Sequence, residues 1–364
     1  MKRILNRIDF RDLIIFYALA ALWILLIVLG APGFRQWSTF ESILQKASFM
    51  GICGVGMTLC IASKHFDQSI GSMAAFLGCT FVVLLRVFSD RPPQETLGVV
   101  VRPDGVEYMG IGWQGILGAF VITVALGVIC GLFNGVLVAK LRIPAFIATL
   151  GTLYVLRGGA YLVTNNEPYV INQQMTVDQY SIFNFLGTGK VLGIPFSFWV
   201  MVICAVAGTV ILRKMKLGRD TLAIGNSVEA SRVSGISIDK TKILVFTLLG
   251  FFVGIAAILN TCYLGSENPG MLKGFEFEVI TTVVLGGTAL AGGKGSIFNS
   301  ISAALFLATL TVSMPLIGIP PAYDGTIRGV ILLFAFSINE IRSRIEIRRV
   351  KVAARREAIL RQHN

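Results

Sequence analysis

The stretch "ALAGGKGSIF", residues 289–298, gathers Gly292, Gly293 and Gly295 around Lys294, with Ser296 following. Glycines and one lysine are the materials of a phosphate cradle. Such a loop has the form G-x-x-x-x-G-K-[ST], in which backbone amides surround the phosphate and the hydroxyl meets magnesium. Here Gly293-Lys294 is followed by Gly295, and Thr288 occupies the position five before Gly293 that requires glycine. An apolar segment precedes it, with no strand pattern. The chain holds no other match, so it is expected to hydrolyse no nucleotide and not to be an enzyme. His65 and His363 are too few for a metal site built on imidazoles, and the six cysteines lie in apolar stretches with no C-x-x-C pair. They read as small buried hydrophobes, and no metal or cofactor is expected.

The remaining polar residues are sparse. Asp67 precedes an apolar run that begins at Ser69, where an acid suits a helix N-terminus; a place on a solute pathway is its other reading. Asn134, Thr149, Thr152, Thr164 and Asn165 are candidates for a pathway or for hydrogen bonds between helices. Arg157 falls inside an apolar run and should point into protein or water, not lipid.

The elements that must hold these groups are long and apolar. The chain has 364 residues, 54% hydrophobic and 14% charged, with mean hydropathy +0.75. Soluble domains are about 25% charged, so lipid is the expected solvent. Crossing the hydrocarbon core takes about 20 apolar residues. Ten candidate spans fit: 13–30, 44–63, 69–88, 114–138, 145–164, 193–212, 243–264, 276–291, 297–318 and 325–340. Long runs such as "LIIFYALAALWILLIVLG" do not alternate, which excludes a membrane β-barrel. The expected fold is all-α and polytopic, one transmembrane domain over 1–364. The basic N-terminus before residue 13 resembles the start of a signal peptide, but the apolar run is long enough for an uncleaved first helix.

Charge orients the spans. With both termini in the cytoplasm, 23 of the 32 Lys and Arg residues fall on the inner side, as cytoplasmic loops require. The net charge of +12 then reports topology and anionic lipid, and nucleic acid is not an expected partner. The largest inner loop is 213–242, and the basic tail 341–364 reads as a surface helix. "GGKGS" becomes a cytoplasmic reversal between the eighth and ninth spans. In the large loop a short helix fits Ser227–Val233, with Asn226 or Ser227 as N-cap and Gly235 ending it.

These motifs resemble the permease subunits of bacterial ABC importers for sugars, the ribose, xylose, arabinose and galactose group, which includes autoinducer-2 importers. In that group a loop of the form E-A-A-x-x-x-G docks into the ATPase. Glu229, Ala230 and Gly235 match it, with Ser231 in place of the second alanine. "GRDTLAIGNSVEASRVSGI", "FDQSIGS", "GLFNGVLVAKLRIPAFIATLGT", "RGGAYLVTN" and "VVLGGTALAGGKGSIFNSISAAL" follow in the group's order, over about residues 40 to 340. The resemblance implies coupling through Arg219, Asn226, Glu229, Ala230, Ser231 and Gly235; the polar residues Asp67, Ser69, Asn134, Thr149, Thr152 and Asn165 stand as candidates for the pathway. It implies a second permease copy or paralogue, a cytoplasmic ATPase carrying ATP and magnesium, a periplasmic sugar-binding protein, and the bacterial inner membrane. Gln68, where the group has leucine, and the longer outer loop 89–113 depart from the pattern and leave the sugar open. An ion-coupled secondary transporter is the alternative, with His65, Asp67, Glu276, Glu278 and Asp324 as its titratable groups.

Overall fold

Backbone polar groups in lipid have no water to bond, so apolar chain closes its hydrogen bonds within helices. The computed structural model describes residues 14–88, 100–102, 105–107, 113–170, 177–323, 325–334 and 336–337. The basic N-terminal residues, Asp324, the tail 341–364 and most of the loop 89–113 lie outside the described residues.

In chain order the helices are α1 (Ile14–Val28), α2 (Trp37–Ala62), α3 (Ile70–Val87), α4 (Trp113–Ala139), α5 (Ala145–Val163), α6 (Val177–Thr188), α7 (Phe196–Lys214), α8 (Lys216–Asn226), α9 (Val228–Val233), α10 (Ile238–Leu264), α11 (Phe275–Leu285), α12 (Ile297–Leu316) and α13 (Gly325–Phe334). Three antiparallel ladders of two or three residues join loops: β1 (Val100–Arg102) with β2 (Gly105–Glu107), β3 (Tyr169–Val170) with β6 (Ser266–Glu267), and β4 (Lys190–Val191) with β5 (Ile194–Pro195). The chain is an all-α polytopic membrane protein.

Among the described residues, seven helices are long and apolar enough to cross a membrane: α2, α3, α4, α5, α7, α10 and α12. Each lies on an expected span. α1 and α13 are apolar but shorter. The eighth expected span, 276–291, takes a different form. Its helix α11 has 11 residues and stops at Leu285, where Gly286 and then Gly287 (φ 86°) turn the chain. Eleven residues rise about 16 Å, half of the hydrocarbon core. α5 runs unbroken through Gly151, Gly158 and Gly159, along the expected span 145–164.

The bundle is built around α2, 94% buried along its most apolar window, while α4, α5 and α7 turn most of their surface outward. Side chains of α2 such as Ile52, Met57, Leu59 and Ile61 are fully enclosed. α10 packs on α4 at backbone distance. Gly127 and Gly131 face Gly250, and a Cβ on Gly250 would strike the Gly127 carbonyl. Without a hydrophobic drive between helices in lipid, such close van der Waals approach supplies the attraction.

Candidate functional site

The loop after α7 is built from local capping. The Ser227 backbone is extended (φ −152°), and its hydroxyl accepts the N–H of Ala230 at 3.2 Å, so Ser227 is the N-cap of α9. Gly235, at φ 77°, ends the turn, donating its N–H to the Arg232 carbonyl. In this six-residue helix the small Ser231 is buried and donates its hydroxyl to the Ser227 carbonyl, 2.7 Å away. A large residue there would push the helix off the bundle. Glu229 and Val233, one turn apart, share the outward face, Val233 being 90% exposed. Arg219 closes the preceding loop on the Lys214 carbonyl (2.9 Å), and Asn226 stands exposed between the two helices.

The glycine-rich reversal meets this loop. Gly292 and Gly293 are left-handed (φ 78° and 79°), and the Gly293 N–H donates to the Ala62 carbonyl at the end of α2 (2.8 Å). Ser296 then caps α12, accepting the Asn299 N–H. Gly225, near the end of α8, lies against both the Ala62 carbonyl and the Gly293 nitrogen, with no room for a side chain. Lys64 reaches the Asn226 carbonyl at 3.5 Å. The ends of α2 and α8 and the 292–296 turn therefore meet backbone to backbone.

Three of the expected pathway residues come together deeper in the bundle. Asp67 Oδ1 accepts both the N–H and the hydroxyl of Ser69, at 2.7 and 2.6 Å. Asn134 Nδ2 donates to Asp67 Oδ2 (3.0 Å) and to Ser69 Oγ (2.9 Å). Asp67 stands two residues outside the cap position, which Ser69 occupies; it orders the entry to α3 without sitting in it. All three are buried, and burial raises the Asp67 carboxyl above its ordinary value despite the donors. The other candidates are elsewhere. Thr149 and Thr152 donate within their own helix, to the carbonyls of Ala145 and Thr149, and Thr164 donates to Ala160. Asn165 is an exposed left-handed turn residue after α5.

A second polar cluster surrounds Arg157, which does point into protein. Its Nη1 donates to the carbonyls of Pro269 and Met271, at 2.7 and 2.6 Å, and its Nε to Ser72 Oγ at 3.2 Å. The connector it holds runs from Gly265 to Gly274, both left-handed, and Leu272 is left-handed too (φ 56°). Asn268 Oδ1 accepts the Gly270 N–H within it. Glu267 and Glu276 supply negative charge within electrostatic range of the guanidinium. Glu267 Oε2 accepts the Thr261 hydroxyl (2.7 Å), while Glu267 Oε1 and Glu276 Oε2 find no partner among the described residues. Burial pushes the Glu267 carboxyl up to about 7. Irregular backbone between apolar helices, with unsatisfied acceptors beside it, is the form that transport pathways take in membrane proteins. Ser72, Glu267 and the two carbonyls did not emerge from sequence reasoning; the signal was "SENPGMLKG", a polar turn set between apolar runs. Glu278 forms an ion pair with Arg328, joining α11 to α13.

Residues 39–336 match the family described as branched-chain amino acid transport system / permease component. The chain belongs to that permease family. Among curated relatives, the ribose import permease protein RbsC of Escherichia coli (strain K12) is 34% identical over 324 residues, covering 88% of this chain and 92% of the relative. The L-arabinose transport system permease protein AraH of the same strain is 31% identical, over 84% of this permease and 83% of its own length. The xylose transport system permease protein XylH of Haemophilus influenzae (strain ATCC 51907 / DSM 11121 / KW20 / Rd) is 26% identical, over 92% and 97%. No solved structure matches this permease.

Proposed function

We propose that this permease is the membrane subunit of an ATP-driven importer for a small neutral sugar, a pentose, a hexose or a relative of these. It would work in the bacterial inner membrane with a cytoplasmic ATPase, a periplasmic sugar-binding protein and a second permease copy or paralogue. The names of its relatives support the solute class. The observation that carries the coupling role is α9, a helix capped at both ends and held outside the bundle, with Glu229 and Val233 turned outward. In this reading Glu229, Ala230 and Val233 meet the ATPase. Ser231 holds the helix against the bundle, Gly235 ends it, and Arg219 and Asn226 shape the approach to it. Both termini and the loop 213–242 are cytoplasmic, and α1, α11 and α13 complete a set of about ten membrane segments.

An uncharged sugar needs hydroxyl, amide and carbonyl partners with apolar walls. Asp67, Ser69 and Asn134 bind one another and are read as a latch beside the pathway. The Arg157 connector, with its carbonyls and unsatisfied carboxylate oxygens, is the better place for sugar hydroxyls. A Glu229→Arg variant, reconstituted with its ATPase and binding protein, is expected to insert normally and to lose ATP hydrolysis stimulated by the loaded binding protein. Unchanged stimulation sinks the docking assignment, and labelling of residues 219–240 from outside the cell sinks the topology.

A further inference from the structure

Beside α9 lies an open cavity of about 800 Å³ whose walls come from three separate loops. His65 enters from the α2–α3 connector, Lys140 and Arg142 from the α4–α5 connector, and Arg232, Lys240 and Lys242 from α9 and the start of α10. Among the described lining residues a single carboxylate, Asp239, opposes them, and it is engaged with Lys140 at 3.5 Å. Five fixed cations and one acid leave a net charge of +4 within one concave wall. His65 adds none at neutral pH, because burial and the neighbouring Lys242 push it down to about 4. Its Nδ1 is engaged by Ser63 Oγ at 3.2 Å. Arg142 is held in a left-handed backbone (φ 56°), uncommon for a residue with a Cβ.

α9 divides its two faces between two tasks. Val228 and Arg232, four apart, line the cavity. Glu229 and Val233, also four apart, lie on the other, exposed face. The cavity is therefore not the surface assigned above to the ATPase. Exposed apolar side chains flank the α4–α5 connector in sequence: Leu141, Phe146 and Ile147, on either side of Arg142, are all more than half exposed. Cations at a cytoplasmic helix end, bordered by exposed apolar side chains, suit an anionic head group whose acyl chains lie along the protein.

We infer that this cavity binds a phosphate oxyanion, that of an anionic phospholipid head group, between Lys140, Arg142, Arg232 and Lys242. The inference rests on the cytoplasmic placement of the loop 213–242. The bound phosphate would offset part of the wall's positive charge and tie α9 to the α4–α5 connector, so that lipid composition sets how firmly the coupling loop is held.

The test uses the full-length permease in nanodiscs of phosphatidylcholine with or without phosphatidylglycerol, and in detergent with inorganic phosphate. Retained lipid is counted by native mass spectrometry. Phosphatidylglycerol is expected to be retained and phosphatidylcholine lost. A Lys140→Gln/Arg142→Gln/Lys242→Gln variant should bind it on the order of a hundredfold more weakly, since each cation at an anionic surface contributes roughly a fivefold factor. A Lys242→Arg variant keeps the charge and should keep the lipid, which separates lost binding from lost folding. Saturable inorganic phosphate binding lost in the same triple variant would support the oxyanion site with a soluble source. Equal retention of both lipids, or equal binding by wild type and a folded triple variant, overturns it. The site can fail while Glu229→Arg still uncouples transport, so the two assignments stand or fall separately.

Discussion

The Asp67 and Arg157 clusters are both buried polar groups in an apolar bundle, and they are built in opposite ways. Around Asp67 the donors converge on the charge: Ser69 gives two hydrogen bonds and Asn134 a third. Around Arg157 the charge is the donor, and its bonds go to two backbone carbonyls and a serine hydroxyl. The carboxylates of Glu267 and Glu276 are left to balance it at a distance, each with one oxygen that finds no partner among the described residues. Satisfied charge makes a fastening, and unsatisfied charge leaves room for a solute or a proton. In the proposed reading this contrast separates structure from pathway better than residue type does, since both clusters contain an acid.

Breaking the second cluster should cost the most. Arg157→Met leaves two carbonyls and two carboxylates without their cation, and should lower stability by roughly 3 kcal/mol, read from thermal melting in detergent. A melt within experimental error of wild type would mean that the connector holds itself. Glu267→Gln sharpens the comparison from the acid side. Its carboxyl is raised from 4.5 to about 7, chiefly by burial. Between these values the folded state keeps a proton that the unfolded chain releases, so stability falls as pH rises through that window. Glutamine removes this penalty. The variant should melt like wild type near pH 4, and above it, by roughly 1 to 2 kcal/mol, at about pH 8. A wild-type pH dependence in the variant would place the titration on another group. Asp67→Asn should have the smallest effect, less than about 0.5 kcal/mol. The new amide still accepts from Ser69, and the unpartnered Oδ1 of Asn134 can turn to accept its N–H. Solute uptake by this variant should persist; its abolition in a well-folded protein would instead favour proton coupling through Asp67.

Much of this was legible in the chain. Hydropathy located the seven long helices because length and apolarity alone decide whether a segment crosses lipid. Ser227 and Gly235 marked α9 because capping is local, set by side chains within a few residues. The failure at 276–291 has a physical cause. "VVLGGTALAGG" is apolar throughout, and hydropathy does not register that Gly286 and Gly287 turn the chain. The direction of Arg157 followed from the cost of charge in lipid, but not its partners. Backbone carbonyls carry no residue signature, and the pairing of the α10–α11 connector with α5 is set by tertiary packing. Asp67, Ser69 and Asn134 were each visible as polar residues, while their meeting depends on how α4 lies against α3.

The absence of a side chain at Gly225 has a mechanical meaning. Where two elements meet through flexible side chains, rotamers absorb a small displacement before the backbone follows. Here the end of α8 touches the Ala62 carbonyl and the Gly293 nitrogen directly. The joint has almost no slack. In the proposed coupling role, a push on α9 transmitted through α8 would reach the Ala62 end of α2, the most enclosed of the long helices, and the turn that starts α12. Such a joint would act on that push as a rigid lever and not as a spring.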